Sequence, residues 1–250
     1  YKYFVEPATD DRPYFSHFFK WRTLPEVLSL RTAGGAGLIE WAYLIVVATL
    51  VQAVVAGCLL ILLPLSRVRR TWSGGLRYGS YFLLLGLAFL FVEIAFIQKF
   101  TLFLGHPLYA VAVVLASFLV FAGAGSAYSA HVVRPVSIAV AGIVVIAIIY
   151  VQVLPLLFGW LIGTAEVLRI LLSVVLIAPL AFFMGMPFPL GLRRLAAEAP
   201  DFVPWAWGIN GFASVVSAVL ATLLAIHFGF TAVIVLALLL YAAAASLRVA

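Results

Sequence analysis

Charged residues are scarce in this sequence. Only 10% of the 250 residues are Asp, Glu, Lys or Arg, whereas 66% are hydrophobic. A soluble domain carries roughly 25% charged and about 45–50% apolar residues. The apolar surface of this chain is therefore too large for a water-soluble core. The same imbalance excludes a disordered chain and a collagen-like rod, and it indicates a protein whose main solvent is lipid.

Cysteine is nearly absent as well. Cys58 is the single cysteine and lies within an apolar run, so a disulfide scaffold is excluded. No second His or Cys stands at the spacing of a metal site. Motifs such as G-x-S-x-G and H-E-x-x-H are missing too. The sequence therefore predicts neither catalytic residues nor a metal site.

Long apolar runs dominate what is present. A membrane-spanning helix needs about 20 apolar residues, and isolated spans in lipid must be helical to satisfy their backbone. We expect an all-α, polytopic transmembrane helix bundle of about seven spans. The predicted spans cover residues 39–65, 78–97, 109–128, 136–158, 167–184, 205–228 and 230–247. A count of six or eight stays open, because only a short turn at His227 to Gly229 separates the last two runs.

Residues 1–38 form a different segment from the transmembrane domain expected over residues 39–250. They are rich in aromatic and charged side chains. Thr23 and Glu26 fit a capping box, which predicts a short amphipathic helix over residues 23–35 on the membrane surface. A mobile linker is the alternative. The chain begins at Tyr1 without a signal sequence, so we expect a fragment or a processed chain.

The net charge of +6 favours anionic lipid headgroups rather than nucleic acid, because the basic residues lie between apolar runs. With seven spans, the following basic residues fall at one end of the bundle: Arg67, Arg69, Arg70, Arg77, His131, Arg134, Arg193, Arg194 and Arg248. The positive-inside rule places that end in the cytoplasm and residues 1–38 outside. The five basic residues of the N-terminal segment weaken this prediction.

Glu93 is the one carboxylate in the interior of a predicted span, away from the span's ends. An ionisable group in lipid costs several kcal/mol unless it is paired or faces water, so Glu93 is a candidate functional residue. Lys99 lies about 120° away around the helix, so a partner from another span is expected. A structural hydrogen bond between helices is the alternative role.

Further intramembrane polar candidates are Gln98, Lys99 and His106 near the end of the second span, and Asn210 within the sixth. For His106 we favour an ordinary interfacial role. Asn210 requires a hydrogen-bond partner. The usual role of adjacent carboxylates such as Asp10 and Asp11 is a solvated turn or a helix N-cap.

Small and helix-breaking residues predict helix contacts. Two prolines and two glycines interrupt residues 184–191. This pattern indicates either the end of the fifth helix or a broken helix that lines a cavity. We favour the first interpretation. Two stripes of small residues predict close helix approach. They consist of Gly211, Ser214, Ala218, Ala221 and Ala225, and of Ala122, Ser126 and Ala130.

Four strings resemble one known family. They are PATDDRPYF at residues 7–15, which contains Thr9, Asp10, Asp11 and Arg12, FVEIAFIQKFTLFLGHP at 91–107, GMPFPLG at 185–191 and PWAWGING at 204–211. The first resembles the segment that follows the catalytic domain in bacterial membrane-fused spermidine synthase-like proteins. The others resemble the C-terminal membrane region of those proteins.

The resemblance implies an upstream Rossmann-like domain, similar to aminopropyltransferases and methyltransferases, that binds an S-adenosylmethionine-type nucleotide. Its cofactor loop and acidic catalytic positions have no counterpart in residues 1–250. We therefore expect a membrane anchor or scaffold in the bacterial inner membrane, not catalytic on its own and without its own cofactor. Its expected partners are the lipid bilayer, that upstream catalytic domain and other membrane subunits.

Two other functions stay open. One is a transporter for an amine, a proton or a small cation that uses Glu93, and the other is a non-catalytic subunit of a larger membrane complex. The resemblance also conflicts with the charge rule, because a nucleotide-using domain belongs in the cytosol. An even span count, a degenerate domain or an exception to the rule would each reconcile the two.

Overall fold

The computed structural model describes residues 8–14, 37–66, 74–131 and 135–249, with side chains in the first helix from Ala42 onward. The surface helix predicted over residues 23–35 lies outside the described residues. So do four of the basic loop residues, Arg67, Arg69, Arg70 and Arg134.

Helices account for nearly all regular structure in the described ranges, which confirms the all-α prediction. Helix α1 (Gly37–Gly57) continues through a π-helical turn at Cys58–Leu62 into Leu63–Ser66. The other helices are α2 (Gly75–Leu104), α3 (Pro107–Ser129), α4 (Val136–Leu161), α5 (Glu166–Met184), α6 (Pro187–Glu198), α7 (Val203–Phe228) and α8 (Phe230–Ser246). A 3-10 turn at Pro200–Phe202 precedes α7.

Six helical stretches among the described residues are long and apolar enough to cross a membrane, and α5 with α6 counts as one of them. Helix α8 is shorter, at 17 residues, or about 25 Å. It packs against α2, and the hydrogen bonds at its two ends show that it runs in the opposite direction. Lys99 reaches its start at Thr231, and Arg77 donates to the carbonyl of Leu247 at its end. Helix α8 therefore runs antiparallel to α2 along much of its length, but it is shorter than the six stretches that are long enough to cross a membrane.

Helix α2 is the centre of the bundle. It packs against α3, α5, α7 and α8, and 56% of its apolar stretch is buried, compared with 6% for α1. Its phenylalanines build the core, where the ring of Phe103 stacks on Phe158 with centroids 4.4 Å apart. Helix α1 packs on α7 at the periphery and leaves apolar side chains such as Ile45 and Leu60 exposed.

The two ends of the bundle differ in charge. One, which we call the arginine end, carries Arg77, Arg193, Arg194 and Arg248. The other, which we call the Asp11 end, carries Asp11, Lys99, Arg169 and His227. The predicted grouping of the loop arginines at one end is thus confirmed for the residues described, and residues 8–14 lie at the opposite end.

Candidate functional site

Glu93 lies within α2, and its side chain is only 7% exposed. Its helix neighbours Val92 and Ala95 are fully buried. Within the described part of the chain, no residue donates a hydrogen bond to its carboxylate or forms an ion pair with it. The partner expected from another span is not found there. Among the described residues Glu93 is therefore a buried acid without a hydrogen bond or ion pair, although the buried Tyr241 of α8 is close enough to interact with its charge. An unpaired charge at such a position costs several kcal/mol.

Lys99 pairs with Asp11 instead of Glu93. Its Nζ lies 3.2 Å from Oδ1 of Asp11 and 3.4 Å from Oγ1 of Thr231. The same carboxylate oxygen accepts hydrogen bonds from the backbone N–H of Thr231 at 2.9 Å and from its hydroxyl at 2.6 Å. Sequence reasoning singled out Asp11 and Lys99 separately and did not foresee that they meet.

Asp11 caps helix α8 from a distant part of the chain. The first N–H groups of a helix lack intrahelical acceptors, and the positive helix N-terminus favours a carboxylate. The carbonyl of Asp11 accepts from the N–H of Phe230 at 3.0 Å, and its carboxylate accepts from the N–H of Thr231. The N-cap role expected for this acidic pair is therefore confirmed for Asp11.

The hydrogen bonds and the lysine also set the charge state of Asp11. Partial burial alone would raise the pKa of its carboxyl group. The hydrogen bonds from Thr231 and the positive charge of Lys99 outweigh that effect and hold the pKa below its ordinary value of 3.8.

Thr9, Asp10, Asp11 and Arg12 form a tight turn, which we call the TDDR turn. The N–H of Arg12 donates to the carbonyl and to the hydroxyl of Thr9, at 2.9 and 3.1 Å. The N–H of Thr9 donates back to the carbonyl of Arg12 at 3.2 Å. This geometry places Asp11 against the bundle and leaves Asp10 exposed.

Gly229 makes room for the TDDR turn. Its φ of 87° lies in the region that favours glycine. A Cβ at this position would overlap Oδ2 of Asp11 and lie 3.4 Å from Cγ of Arg12. Next to it, the ring of Tyr14 lies 6.0 Å from that of Phe230, and burial raises the pKa of Tyr14 to about 12. The short turn between the last two spans is therefore a docking place for residues 8–14.

Asn210 and Ser217 fasten α7 to α2. Nδ2 of Asn210 donates to the carbonyl of Phe82 at 3.1 Å, and Oγ of Ser217 donates to that of Leu87 at 2.8 Å. Between these bonds, a Cβ on Gly86 would lie only 2.7 Å from the carbonyl oxygen of Asn210. The partner that Asn210 required is thus a backbone carbonyl, which is a structural role.

The small-residue stripe predicted on α7 is correct in its last two residues and off by one position in its first three. Nothing lies within 4 Å of a Cβ built on Gly211, and Ser214 donates to its own helix. The helix uses the face of Asn210, Ala213 and Ser217, and of the predicted residues only Ala221 and Ala225 are buried. A shift of one residue rotates the face by about 100°. Both faces are rich in small residues, so composition did not distinguish them.

The interrupted segment at residues 184–191 ends one helix and starts another. Helix α5 ends at Met184 as favoured, but α6 begins at Pro187, a residue well suited to a first helical position. The carbonyl of Pro187 accepts from the hydroxyl of Tyr81 at 2.6 Å. The break also lines a cavity of about 400 Å³, as the alternative interpretation proposed.

Two glycines bring α3 and α5 into backbone contact beside this break. A Cβ on Gly125 would overlap the carbonyl oxygen of Phe182, and one on Gly185 would overlap that of Ala122. Gly125 of α3 and Gly185, which directly follows α5, thus each face a carbonyl of the other helix. Of the second predicted stripe, Ala122 takes part in this contact, whereas Ala130 is exposed.

Gln98 and His106 lie near the C-terminal end of α2. His106 is the exposed residue before α3, with extended backbone, and its ring lies 5.1 Å from that of Tyr109. That position fits an ordinary interfacial side chain. Gln98 is half-buried next to Lys99 and makes no hydrogen bond within the described ranges.

Three arginines cap the C-terminal ends of neighbouring helices, a role that the sequence analysis did not predict. Each donates to carbonyls at the C-terminal end of a neighbouring helix, where the last carbonyls lack intrahelical donors. Arg169 donates to Phe103 at 2.8 Å, Arg193 to Ser129 and Ala130, and Arg77 to Leu247 and Arg248. Their position near helix ends was the available signal, but the sequence does not say which neighbouring helix each one reaches.

In the part of the chain that the structure describes, no group of three or more His, Cys, Asp or Glu side chains could hold a metal ion. No family model, curated protein or solved structure matches this chain.

Proposed function

We propose that this chain is a membrane-embedded module that holds its N-terminal flanking segment in a fixed position on the helix bundle. The single observation that carries the proposal is the contact of Asp11 with Thr231 and Lys99. It attaches the TDDR turn to both α8 and the central helix α2.

A flexible tether would not need such a contact. The turn is closed by hydrogen bonds between Thr9 and Arg12, and it presents a carboxylate to the start of α8. Gly229 has the backbone conformation and the missing side chain that the turn requires. Residues 8–14 therefore cannot move without disturbing their contacts with the bundle. We expect such a contact in a module that fixes the position of the segment before residue 8.

The resemblance to spermidine synthase-like proteins extends this proposal to the domain that the N-terminal segment would connect to the bundle. The module then anchors an aminopropyltransferase-like or methyltransferase-like domain that uses an S-adenosylmethionine-type nucleotide at the bacterial inner membrane. The bundle itself serves as a scaffold in that assembly and supplies no catalytic residue.

The position of residues 8–14 on the bundle bears on the topology conflict. Residues 8–14 lie at the end opposite Arg77 and Arg193, which favours opposite sides of the membrane for these two groups of residues. A cytosolic upstream domain then requires insertion against the positive-inside rule. With insertion that follows the rule, the held segment lies outside.

A spin label in the full-length protein tests the fixed joint. In a Cys58→Ala background, the label is attached at Asp10→Cys, which is exposed beside the docked turn. We expect an immobilised spectrum that becomes mobile when Asp11→Ala is added. A label that is already mobile before this change would contradict the proposal. The complete reading frame tests the second part, because it must encode a nucleotide-binding domain before Tyr1.

A second candidate function rests on Glu93. A buried carboxyl group without an ion-pair partner among the described residues is a typical site for carrying a proton in transporters. Proteoliposomes with an internal pH indicator would show proton flux that Glu93→Gln abolishes and Glu93→Asp retains in part. Equal flux in the parent protein and Glu93→Gln would exclude this function.

A further inference from the structure

The cavity beside the break between α5 and α6 is suited to binding a hydrocarbon chain. It measures about 400 Å³, within the range of about 300–1,000 Å³ typical of ligand pockets. Its lining is mostly apolar and comes from the end of α3, the start of α4 and the α5–α6 break. The lining residues are Tyr128, Ser129, Pro135, Ile138, Ala139, Phe182, Phe183, Met186 and Leu190.

The cavity is open to the surroundings of the bundle. Tyr128 is 51% exposed and Ile138 is 44% exposed, while Ala139 and Met186 are buried at its base. The hydroxyl of Ser129 is already used, since it donates to the carbonyl of Ser126 at 2.7 Å. Water gains little in such a space, because it needs two to four polar partners.

A cationic group stands at the edge of the cavity. Arg193 donates to the carbonyls of Ser129 and Ala130, and Ser129 itself lines the cavity. A guanidinium group has five N–H donors, and within the described residues these two carbonyls are the acceptors it uses. The Arg193 side chain is exposed. The Arg193 guanidinium group therefore has N–H donors left for an anion. Its planar arrangement of donors matches the oxygens of a phosphate group.

The depth of the cavity matches the boundary between acyl chains and headgroups. It lies at the last turn of α3 and the first turn of α4, where two membrane-spanning helices end. The arginine end is also the basic end of the bundle, which attracts anionic lipid.

We infer that this cavity binds one anionic phospholipid, with an acyl chain among Ile138, Ala139 and Phe183 and the phosphate on Arg193. The apolar lining, the opening and the charge at the edge each match one part of such a lipid. A free phosphate would leave the apolar part empty. A zwitterionic phospholipid would have a weaker electrostatic attraction to the arginine end.

Native mass spectrometry of the whole chain in mild detergent tests this inference. The probes are phosphatidylglycerol, phosphatidylcholine and glycerol phosphate, each added separately. We expect one phosphatidylglycerol to remain bound, with weaker retention of phosphatidylcholine and none of glycerol phosphate. Ala139→Leu fills the base of the cavity, and Arg193→Gln removes the charge. Each is expected to weaken phosphatidylglycerol binding about tenfold.

Matched controls separate the site from general effects. Ala141→Leu adds the same volume on the exposed face of α4, and Arg194→Gln removes an exposed arginine next to Arg193. Both are expected to bind lipid like the parent protein. Ile138→Trp narrows the opening without changing the buried base, so it tests the site even where Ala139→Leu disturbs packing.

Unchanged phosphatidylglycerol binding in both Ala139→Leu and Ile138→Trp would overturn the inference. Equal retention of both phospholipids with no effect of Arg193→Gln would overturn the assigned headgroup contact. Retention of glycerol phosphate at a level similar to phosphatidylglycerol would show a free-phosphate site and would also overturn it.

Discussion

The carboxylate of Asp11 lies 3.2 Å from the ammonium group of Lys99, although 88 residues separate them in the sequence. Lys99 belongs to the central helix α2, and Asp11 belongs to a short segment before the first helix. Their contact lies at the start of α8, where Thr231 donates to the same carboxylate oxygen. It ties three distant parts of the chain together at one end of the bundle.

Asp11→Ala removes this contact, and we expect it to lower the stability of the bundle. Loss of an N-cap costs about 0.5–2 kcal/mol, and Lys99 loses its ionic partner as well. The measurement is the unfolding free energy in mixed micelles. Asp10→Ala is the control, because Asp10 is exposed in the same turn and is expected to change the stability by less than about 0.5 kcal/mol. Equal effects of the two substitutions would contradict the assigned role of Asp11.

The stabilisation by Asp11 depends on pH in a defined direction. Its folded pKa is lower than 3.8, so the folded state favours the charged form. The stabilisation is present above pH 3.8 and is lost as the pH falls through the folded pKa. The difference in unfolding free energy between the parent protein and Asp11→Asn should stay constant near neutrality and shrink in acid. A difference that grows in acid would show that the sign is wrong.

Gly229→Ala is expected to destabilise the docked turn. The positive φ disfavours a side chain, and the added Cβ overlaps Oδ2 of Asp11. We expect a loss of about 1–2 kcal/mol or more. Gly211→Ala is the matched control. It adds a methyl group in open space within α7, so higher helix propensity should stabilise the protein by up to about 1 kcal/mol. Similar effects at both positions would contradict the assigned geometry.

Asn210→Ala is expected to weaken the packing of α7 on α2. It removes the hydrogen bond to the carbonyl of Phe82, and such bonds between membrane helices average about 0.6 kcal/mol, with a maximum near 1.7. Ser214→Ala, one turn further on, removes only a bond within α7 and should have little effect. Thermal unfolding in detergent compares the two variants, and a larger loss in Ser214→Ala would favour the face predicted from the sequence.

The sequence predicted the helices well because apolar runs of this length have few alternatives in lipid. The second span shows the limit of that argument. It was predicted to end at residue 97, but α2 continues to Leu104. Lys99 and Thr101 are polar, yet they stay helical because Lys99 pairs with Asp11 and Thr101 donates to the carbonyl of Ile97. Helix α6 was missed because its prolines and glycine resemble a simple helix end.

The site was less predictable than the fold. Polar residues such as Asn210 could be singled out because lipid makes an unpaired amide costly. Their partners could not, because backbone carbonyls on other helices leave no mark in the sequence. For the same reason, the sequence identified Asp11 and Lys99 but not their contact.

The most direct test of this account is the side of the membrane on which each end of the bundle lies. In a Cys58→Ala background, Asp10→Cys and Arg194→Cys are each labelled with a membrane-impermeant maleimide in oriented vesicles. Both positions are exposed, one at the Asp11 end and one at the arginine end. We predict labelling from opposite sides, with Arg194→Cys on the cytoplasmic side if insertion follows its basic charge. Labelling of both positions from the same side would contradict the placement of the two ends on opposite sides of the membrane and the docked TDDR turn.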